Sequence, residues 1–111
     1  MLQFKKGVDE SNISREVWFA IGVAFTLLQG EKKNCVVTSL RDGKHLPTSL
    51  HYRGQAVDLR TRHLSPTQKS SFHISLYESL NPIGYDVILE KDHIHIEYDP
   101  KVNEDWEIDS Q

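Results

Sequence analysis

The chain has 111 residues, a length that suits one domain and can bury one modest core without disulfide bonds. Its hydrophobic fraction of 38% and charged fraction of 26% are those of an ordinary soluble protein, and no apolar run approaches the roughly 20 residues of a membrane span. The formal net charge of −3 excludes a polycationic surface, so we expect no nucleic-acid partner.

The N-terminal half of the sequence predicts a surface segment, a helix and two short strands. Residues 1–13 are polar and mixed, and predict a surface lead-in. From Ser14 to Gln29 apolar residues recur at steps of three and four, which predicts a helix ended by Gly30. Short strands are predicted at 35–38 and 54–60, the second from its alternation of apolar and polar residues.

The C-terminal half predicts a second helix followed by a hairpin. Ser65-Pro66-Thr67-Gln68 combines an N-cap serine, a proline at the first helical position and a glutamine three residues after the cap, so the helix should run over 66–80. Two β-type runs at 85–89 and 93–98 flank a charged turn and predict an antiparallel pair.

The order of these elements predicts one α+β domain, with helices packed on a small antiparallel sheet. Its core should span about residues 14–99, with an acidic tail over 100–111. The single cysteine, Cys35, stands in an apolar run and is expected to be a buried hydrophobe. No secretion signal is seen at the N-terminus, so we expect synthesis in the cytoplasm.

Imidazole and carboxylate groups concentrate in two stretches, residues 49–58 and 90–97. Catalytic zinc takes three ligands from His, Asp or Glu and keeps a fourth position for water. His93 and His95 stand two apart on a predicted strand, so their side chains should share a face. Spacing alone leaves two interpretations open: a metal site, or ordinary surface groups.

The first stretch resembles a known family, the zinc D-alanyl-D-alanine carboxypeptidases and L-alanyl-D-glutamate endopeptidases that include many phage endolysins. The family pattern is Ser-x-His-x-x-Gly-x-Ala-x-Asp, followed later by a metal-binding histidine in a final strand. The chain matches it at every position, listed as Ser49, His51, Gly54, Ala56 and Asp58. Thr38-Ser39-Leu40-Arg41 is similar, in a shortened form, to the family's Ser-Gly-Tyr-Arg.

The resemblance implies a zinc ion held by His51, Asp58 and His95. It also implies a catalytic carboxylate three residues before the final metal histidine. The sequence offers this relation twice, as Asp92 before His95 and as Glu90 before His93. We prefer the first pair, because other members carry a His-x-His pair in which the second histidine binds the metal.

In the mechanism that the resemblance implies, the carboxylate takes a proton from the attacking water and passes it to the leaving amine. Arg41 is the implied partner of the developing oxyanion, and Ser49 is implied to contact the substrate. Both residues also have an ordinary structural interpretation. Arg41 could be a solvated turn residue, and Ser49 could stabilise its loop through a hydrogen bond. His93 is a further catalytic candidate, either for proton transfer or as a donor to the oxyanion.

The implied activity is hydrolysis of peptidoglycan stem peptides, at the terminal D-Ala-D-Ala bond or at an internal L-Ala-D-Glu bond. We expect a monomer that reaches the cell wall by a route other than its own signal. The alternative is a non-catalytic zinc-bearing binding or signalling domain, since the Hedgehog signalling domain shares this type of metal site and a fold does not by itself prove turnover.

Overall fold

The computed structural model describes residues 1–11, 13–41 and 55–100. Within these ranges the chain forms two α-helices and one sheet. The helices are α1 (Arg15–Gly30) and α2 (Pro66–Leu80), and the strands are β1 (Leu2–Phe4), β2 (Cys35–Arg41), β3 (Gln55–Arg60), β4 (Tyr85–Leu89) and β5 (His93–Tyr98). The protein therefore has the expected α+β fold.

The sheet is mixed rather than wholly antiparallel. Its strand order is β1-β2-β3-β5-β4, and every neighbouring pair is antiparallel except β1 with β2, which is parallel. The prediction of a surface lead-in was wrong for Leu2 and Phe4, which are partly buried against the core. A strand of three residues is too short to show a period of two in the sequence, so its pairing with β2 had no local signal.

Helix α1 follows the predicted helical spacing. Ser14 caps its start, where the backbone N–H of Val17 donates to the Ser14 Oγ at 3.2 Å. The helix ends at Gly30, as predicted, and Lys32, two residues later, takes the left-handed conformation at φ 58°. The N–H of Lys32 then donates to the carbonyl of Gln29, which satisfies one terminal carbonyl.

Helix α2 has the predicted bounds. The Ser65 Oγ accepts from the Gln68 N–H at 3.1 Å, and the Gln68 side chain accepts from the Ser65 N–H at 3.0 Å, which completes a capping box. A 3₁₀ turn over Asn81–Ile83 follows, and Gly84 at φ 105° turns the chain into β4. That conformation strains any residue with a side chain.

Both helices pack on one face of the sheet. The core contains residues from α1, from α2 and from the inward positions of the strands, including Val57, Leu59, Ile94 and Ile96, each 1% exposed or less. Cys35 is fully buried there, as expected. Since successive side chains of a strand alternate between faces, the residues between these positions point away from the helices. No helix in the described ranges is long and apolar enough to cross a membrane.

Candidate metal centre

The two sequence stretches that carry imidazole and carboxylate groups meet on the outward face of the sheet. Strands β3 and β5 are antiparallel neighbours, and Asp58 lies directly opposite His95 in their register. The His95 Nδ1 lies 2.8 Å from the Asp58 Oδ1, and both side chains are about one-quarter exposed. The last residue of the first motif therefore contacts the last histidine of the second, although 37 positions separate them.

His93 approaches the same carboxylate from the other side. Its Nε2 lies 3.9 Å from the Asp58 Oδ2, while its Nδ1 lies 2.8 Å from the Asp92 Oδ1. His93 and His95 thus share a face, as the spacing predicts, and each approaches a different oxygen of Asp58. The structure brings Asp58, Asp92, His93 and His95 into one continuous group.

Backbone and side-chain hydrogen bonds hold the turn that carries Asp92. The N–H of Thr61, just beyond β3, donates to the Asp92 carbonyl at 3.0 Å. The Lys69 Nζ of α2 donates to the Lys91 carbonyl at 2.6 Å. The N–H of Glu90 donates to the His93 carbonyl at 2.9 Å and closes the hairpin. Asp92 therefore stands on a turn fixed from both sides, although its own side chain is 64% exposed.

The contact between His93 and Asp92 also shifts their proton affinities. The hydrogen bond from His93 lowers the pKa of Asp92 below its usual value, and the nearby charges of His93 and Arg62 act in the same direction. The hydrogen bond to Asp92 raises the pKa of His93, with further support from the charges of Asp58 and Glu90. The two shifts of pKa together favour the charged pair, with Asp92 as a carboxylate and His93 protonated.

Glu97 and its neighbours form an acidic group that the sequence analysis did not predict. The His95 Nε2 lies 3.4 Å from the Glu97 Oε1, so Glu97 is placed to orient the His95 ring. Glu97 also lies opposite Asp86 across the hairpin, and with Asp99 their oxygens fall within 4.8 Å of one another. The sequence analysis predicted the two hairpin strands but not their register, which is what pairs Asp86 with Glu97.

Asp58 lies between two cavities. One, which we call the His93 cavity, has a volume of about 230 Å³ and is lined by Lys5, Thr38, Asp58, Arg60, Arg62, Asp92 and His93. The other, the His95 cavity, has a volume of about 240 Å³ and is lined by Ser39, Ala56, Val57, Asp58 and His95. A group bound at Asp58 would be accessible from both.

The remaining predicted site residues lie outside the described parts of the chain. His51 and Ser49 are not among the described residues. Arg41 is the last residue of β2 and pairs with Ala56, but its side chain also lies outside the description. Of the three predicted zinc ligands, the structure therefore places Asp58 and His95, and it brings these two together.

The donor atoms of Asp58 and His95 are of the kinds that a zinc ion takes as ligands, and their present spacing is that of a hydrogen bond. An imidazole nitrogen and a carboxylate oxygen are ligands that zinc prefers, with bonds of about 2.0–2.2 Å. Two such ligands at a tetrahedral angle stand about 3.3 Å apart. The observed 2.8 Å between Nδ1 and Oδ1 requires a shift of only about half an ångström to admit the ion.

The chain was compared with protein-family models, curated proteins and solved structures. No protein-family model, no curated protein and no solved structure matches this chain. The interpretation of the site therefore depends on its own residues, and above all on the contact between Asp58 and His95.

Proposed function

We propose that the chain is a zinc-dependent peptidase that hydrolyses peptidoglycan stem peptides and belongs to the family of zinc D-alanyl-D-alanine carboxypeptidases and L-alanyl-D-glutamate endopeptidases. The proposed zinc ligands are His51, Asp58 and His95. The observation that carries this proposal is the 2.8 Å contact between the Asp58 Oδ1 and the His95 Nδ1. It joins the ends of two motifs that resemble the same family, on a face that the core does not use.

The third proposed ligand is within reach by chain length. His51 precedes Gln55 by four residues, and four residues span at most roughly 14 Å. From Gln55 to Asp58 the strand rises roughly 10 Å. The segment before β3 is therefore long enough to return an imidazole to Asp58.

Distance favours His95 over His93 as the metal histidine. The nitrogen of His95 nearest to Asp58 lies 2.8 Å from a carboxylate oxygen, against 3.9 Å for His93. His93 is in addition engaged by Asp92 through its Nδ1. This arrangement supports the pair Asp92 and His95 over the pair Glu90 and His93.

When bound, zinc supplies Lewis acidity that polarises a carbonyl and makes water a nucleophile near neutral pH. The chain's own residues supply the proton transfers. Asp92, held as a carboxylate beside His93, accepts a proton from the attacking water and delivers it to the leaving amine. Arg41 and Ser49 are proposed to hold the substrate. His93 orients Asp92 through their hydrogen bond and is proposed to donate to the developing oxyanion.

Incubation of the zinc-loaded protein with synthetic stem pentapeptides, followed by mass spectrometry, tests the proposal. Loss of the terminal D-Ala indicates the carboxypeptidase reaction, and release of L-Ala indicates the endopeptidase reaction. Asp92→Asn should lower kcat by about 10²- to 10⁴-fold, the usual contribution of a general acid-base group, while zinc content stays at the wild-type level.

Glu90→Gln is the matched control, because it neutralises the rival carboxylate two residues away. It should retain most of the wild-type kcat. A large loss in Glu90→Gln with activity preserved in Asp92→Asn would reassign the working pair to Glu90 and His93. Zinc binding without cleavage of any stem peptide would favour the non-catalytic zinc-bearing domain instead.

A further inference from the structure

The His93 cavity carries more positive side chains than the proposed chemistry uses. Arg60 lies two residues after Asp58 on β3, so both point to the outward face, and Arg60 is paired with His93 in the strand register. Arg62 follows just beyond the end of β3, and Lys5 follows β1. All three line the same cavity as Asp58, Asp92 and His93.

The backbone fixes where these cations stand. The N–H of Lys5 donates to the Val37 carbonyl at 2.8 Å, which extends the pairing of β1 with β2 by one residue. Thr61, between the two arginines, donates its N–H to the Asp92 carbonyl at 3.0 Å. Arg60 therefore lies in strand β3, while Lys5 and Arg62 lie just beyond the ends of β1 and β3, and all three line one cavity of about 230 Å³.

The two carboxylates of this cavity each have a histidine partner at hydrogen-bond distance, and among the three cations Arg62 lies near the charge of Asp92. Asp58 and Asp92 each have a histidine nitrogen at 2.8 Å. In the ranges 1–11, 13–41 and 55–100, the side chains of Lys5, Arg60 and Arg62 form no hydrogen bond or ion pair. In a protein of net charge −3, three cationic side chains with no hydrogen-bond or ion-pair partner among the described residues thus line a cavity beside the proposed reaction centre.

We propose that Lys5, Arg60 and Arg62 form an acidic-group subsite, which binds a carboxylate of the peptide substrate on the His93 side of Asp58. This inference rests on the proposed peptidase function for the identity of the ligand. An arginine guanidinium presents a planar fork that matches a carboxylate with two parallel hydrogen bonds. Arg60 is partly buried, and exclusion of water by a bound peptide would strengthen such a pair.

The subsite predicts a preference among stem peptides. The D-Glu residue of a stem peptide carries an α-carboxyl group that is either a free acid or an amide. The free acid supplies a negative charge that can pair with the cations of the cavity, whereas the amide is neutral. We therefore take the D-Glu α-carboxylate as the group to test, because it is a carboxylate of the stem peptide that can be compared with its own amide.

The test uses two synthetic stem pentapeptides that differ only in whether this carboxyl is free or amidated. Zinc-loaded wild-type protein should cleave the acid with a kcat/KM about tenfold to hundredfold higher, the range for a hydrogen bond to a charged group. Arg60→Gln and Arg62→Gln should each reduce this ratio toward one, mainly through KM for the acid peptide. Lys6→Gln is the matched control, because Lys6 is exposed beside Lys5 but does not line the cavity, and it should keep the full ratio.

A binding measurement separates failure of the subsite from failure of the peptidase proposal. The probe is the dipeptide γ-D-glutamyl-L-lysine amide, which holds neither scissile bond, with its D-Glu α-carboxyl free or amidated. Only the free acid should shift the arginine Nε–H signals of Arg60 and Arg62 in nitrogen-15 NMR spectra of the zinc-loaded protein. Inorganic phosphate at the same concentration should shift them less.

The outcomes are distinct. If wild-type protein cleaves both pentapeptides equally, or if Arg60→Gln and Arg62→Gln preserve the ratio, the subsite is overturned while the peptidase stands. Where no peptide is cleaved, acid-dependent shifts still support the subsite, and their absence overturns it. Stronger shifts with phosphate than with the acid dipeptide would also overturn the assignment to a peptide carboxylate.

Discussion

The two faces of strand β5 show how one short segment serves both the core and the site. Ile94 and Ile96 are at most 1% exposed and pack beneath the helices. The alternate residues, His93 and His95, lie on the opposite face with side chains 33% and 25% exposed. Alternate residues of β5 therefore face either the core or the site. A substitution on the outward face should leave the core packing intact, and one on the inward face should leave the proposed ligands in place.

Substitution of neighbouring residues on β5 is the strongest way to break this comparison. Ile94→Ala removes a fully buried side chain and should lower the free energy of unfolding by about 2–5 kcal/mol. His95→Gln removes one partly exposed contact with Asp58 and should cost less than about 1.5 kcal/mol. Urea unfolding followed by circular dichroism measures both. An equal loss in the two variants would show that the outward face also carries the stability.

The dependence of stability on alkaline pH tests the buried face of the sheet, through the thiol of Cys35 in β2. Burial raises the pKa of the Cys35 thiol from 9.0 to about 12. Since the folded pKa is above the unfolded one, the stabilising contribution is complete below about pH 9 and is lost as the pH rises toward 12. At pH 10 the loss should be about 1.4 kcal/mol.

Cys35→Val is the comparison for this pH effect, because it replaces the thiol with an apolar side chain that does not titrate and that suits a β-strand. Tyr85, whose pKa burial raises to about 12, titrates in both proteins and so drops out of the difference. The free energy of unfolding should fall more steeply between pH 8 and pH 10 in the wild type than in Cys35→Val. Parallel pH profiles would argue against a buried thiol.

The smallest expected effect concerns the link between the helix layer and the site. The Lys69 Nζ donates to the Lys91 carbonyl at 2.6 Å and so holds the turn that carries Asp92. Lys69→Met keeps the aliphatic stem and removes the donor, and should cost about 0.5–1.5 kcal/mol of stability. Amide exchange at residues 90–93 should become faster in this variant, whereas exchange in β3 should not change. Unchanged exchange at the turn would show that Lys69 contributes nothing to its position.

Much of the fold could be predicted from the sequence, because its signals are local. The bounds of α2 and of both hairpin strands match, since a capping box, a proline at the first helical position and a charged turn mark them. Strand β1 was missed, because its three residues gain their order from pairing with β2 and not from their own pattern. The end of α1 at Gly30 was predicted, although it is Lys32, two residues later, that takes the left-handed conformation.

The site divides in the same way. The shared face of His93 and His95 follows from a period of two, so the sequence predicts it. The choice between these histidines depends on the register of β3 against β5, which sets Asp58 opposite His95. No local pattern encodes that register, and the cations of the His93 cavity likewise come together only through the pairing of distant strands.

Zinc content is the most direct test of the proposed metal site. Wild-type protein is loaded with zinc, dialysed and measured by inductively coupled plasma mass spectrometry. It should retain one zinc ion per chain, and His95→Gln should retain none. His73→Gln, which changes a histidine on α2 outside the proposed ligand set, should bind zinc like the wild type. A wild-type protein without zinc, or a His95→Gln variant that keeps its full complement, would contradict the central claim that Asp58 and His95 hold one metal ion.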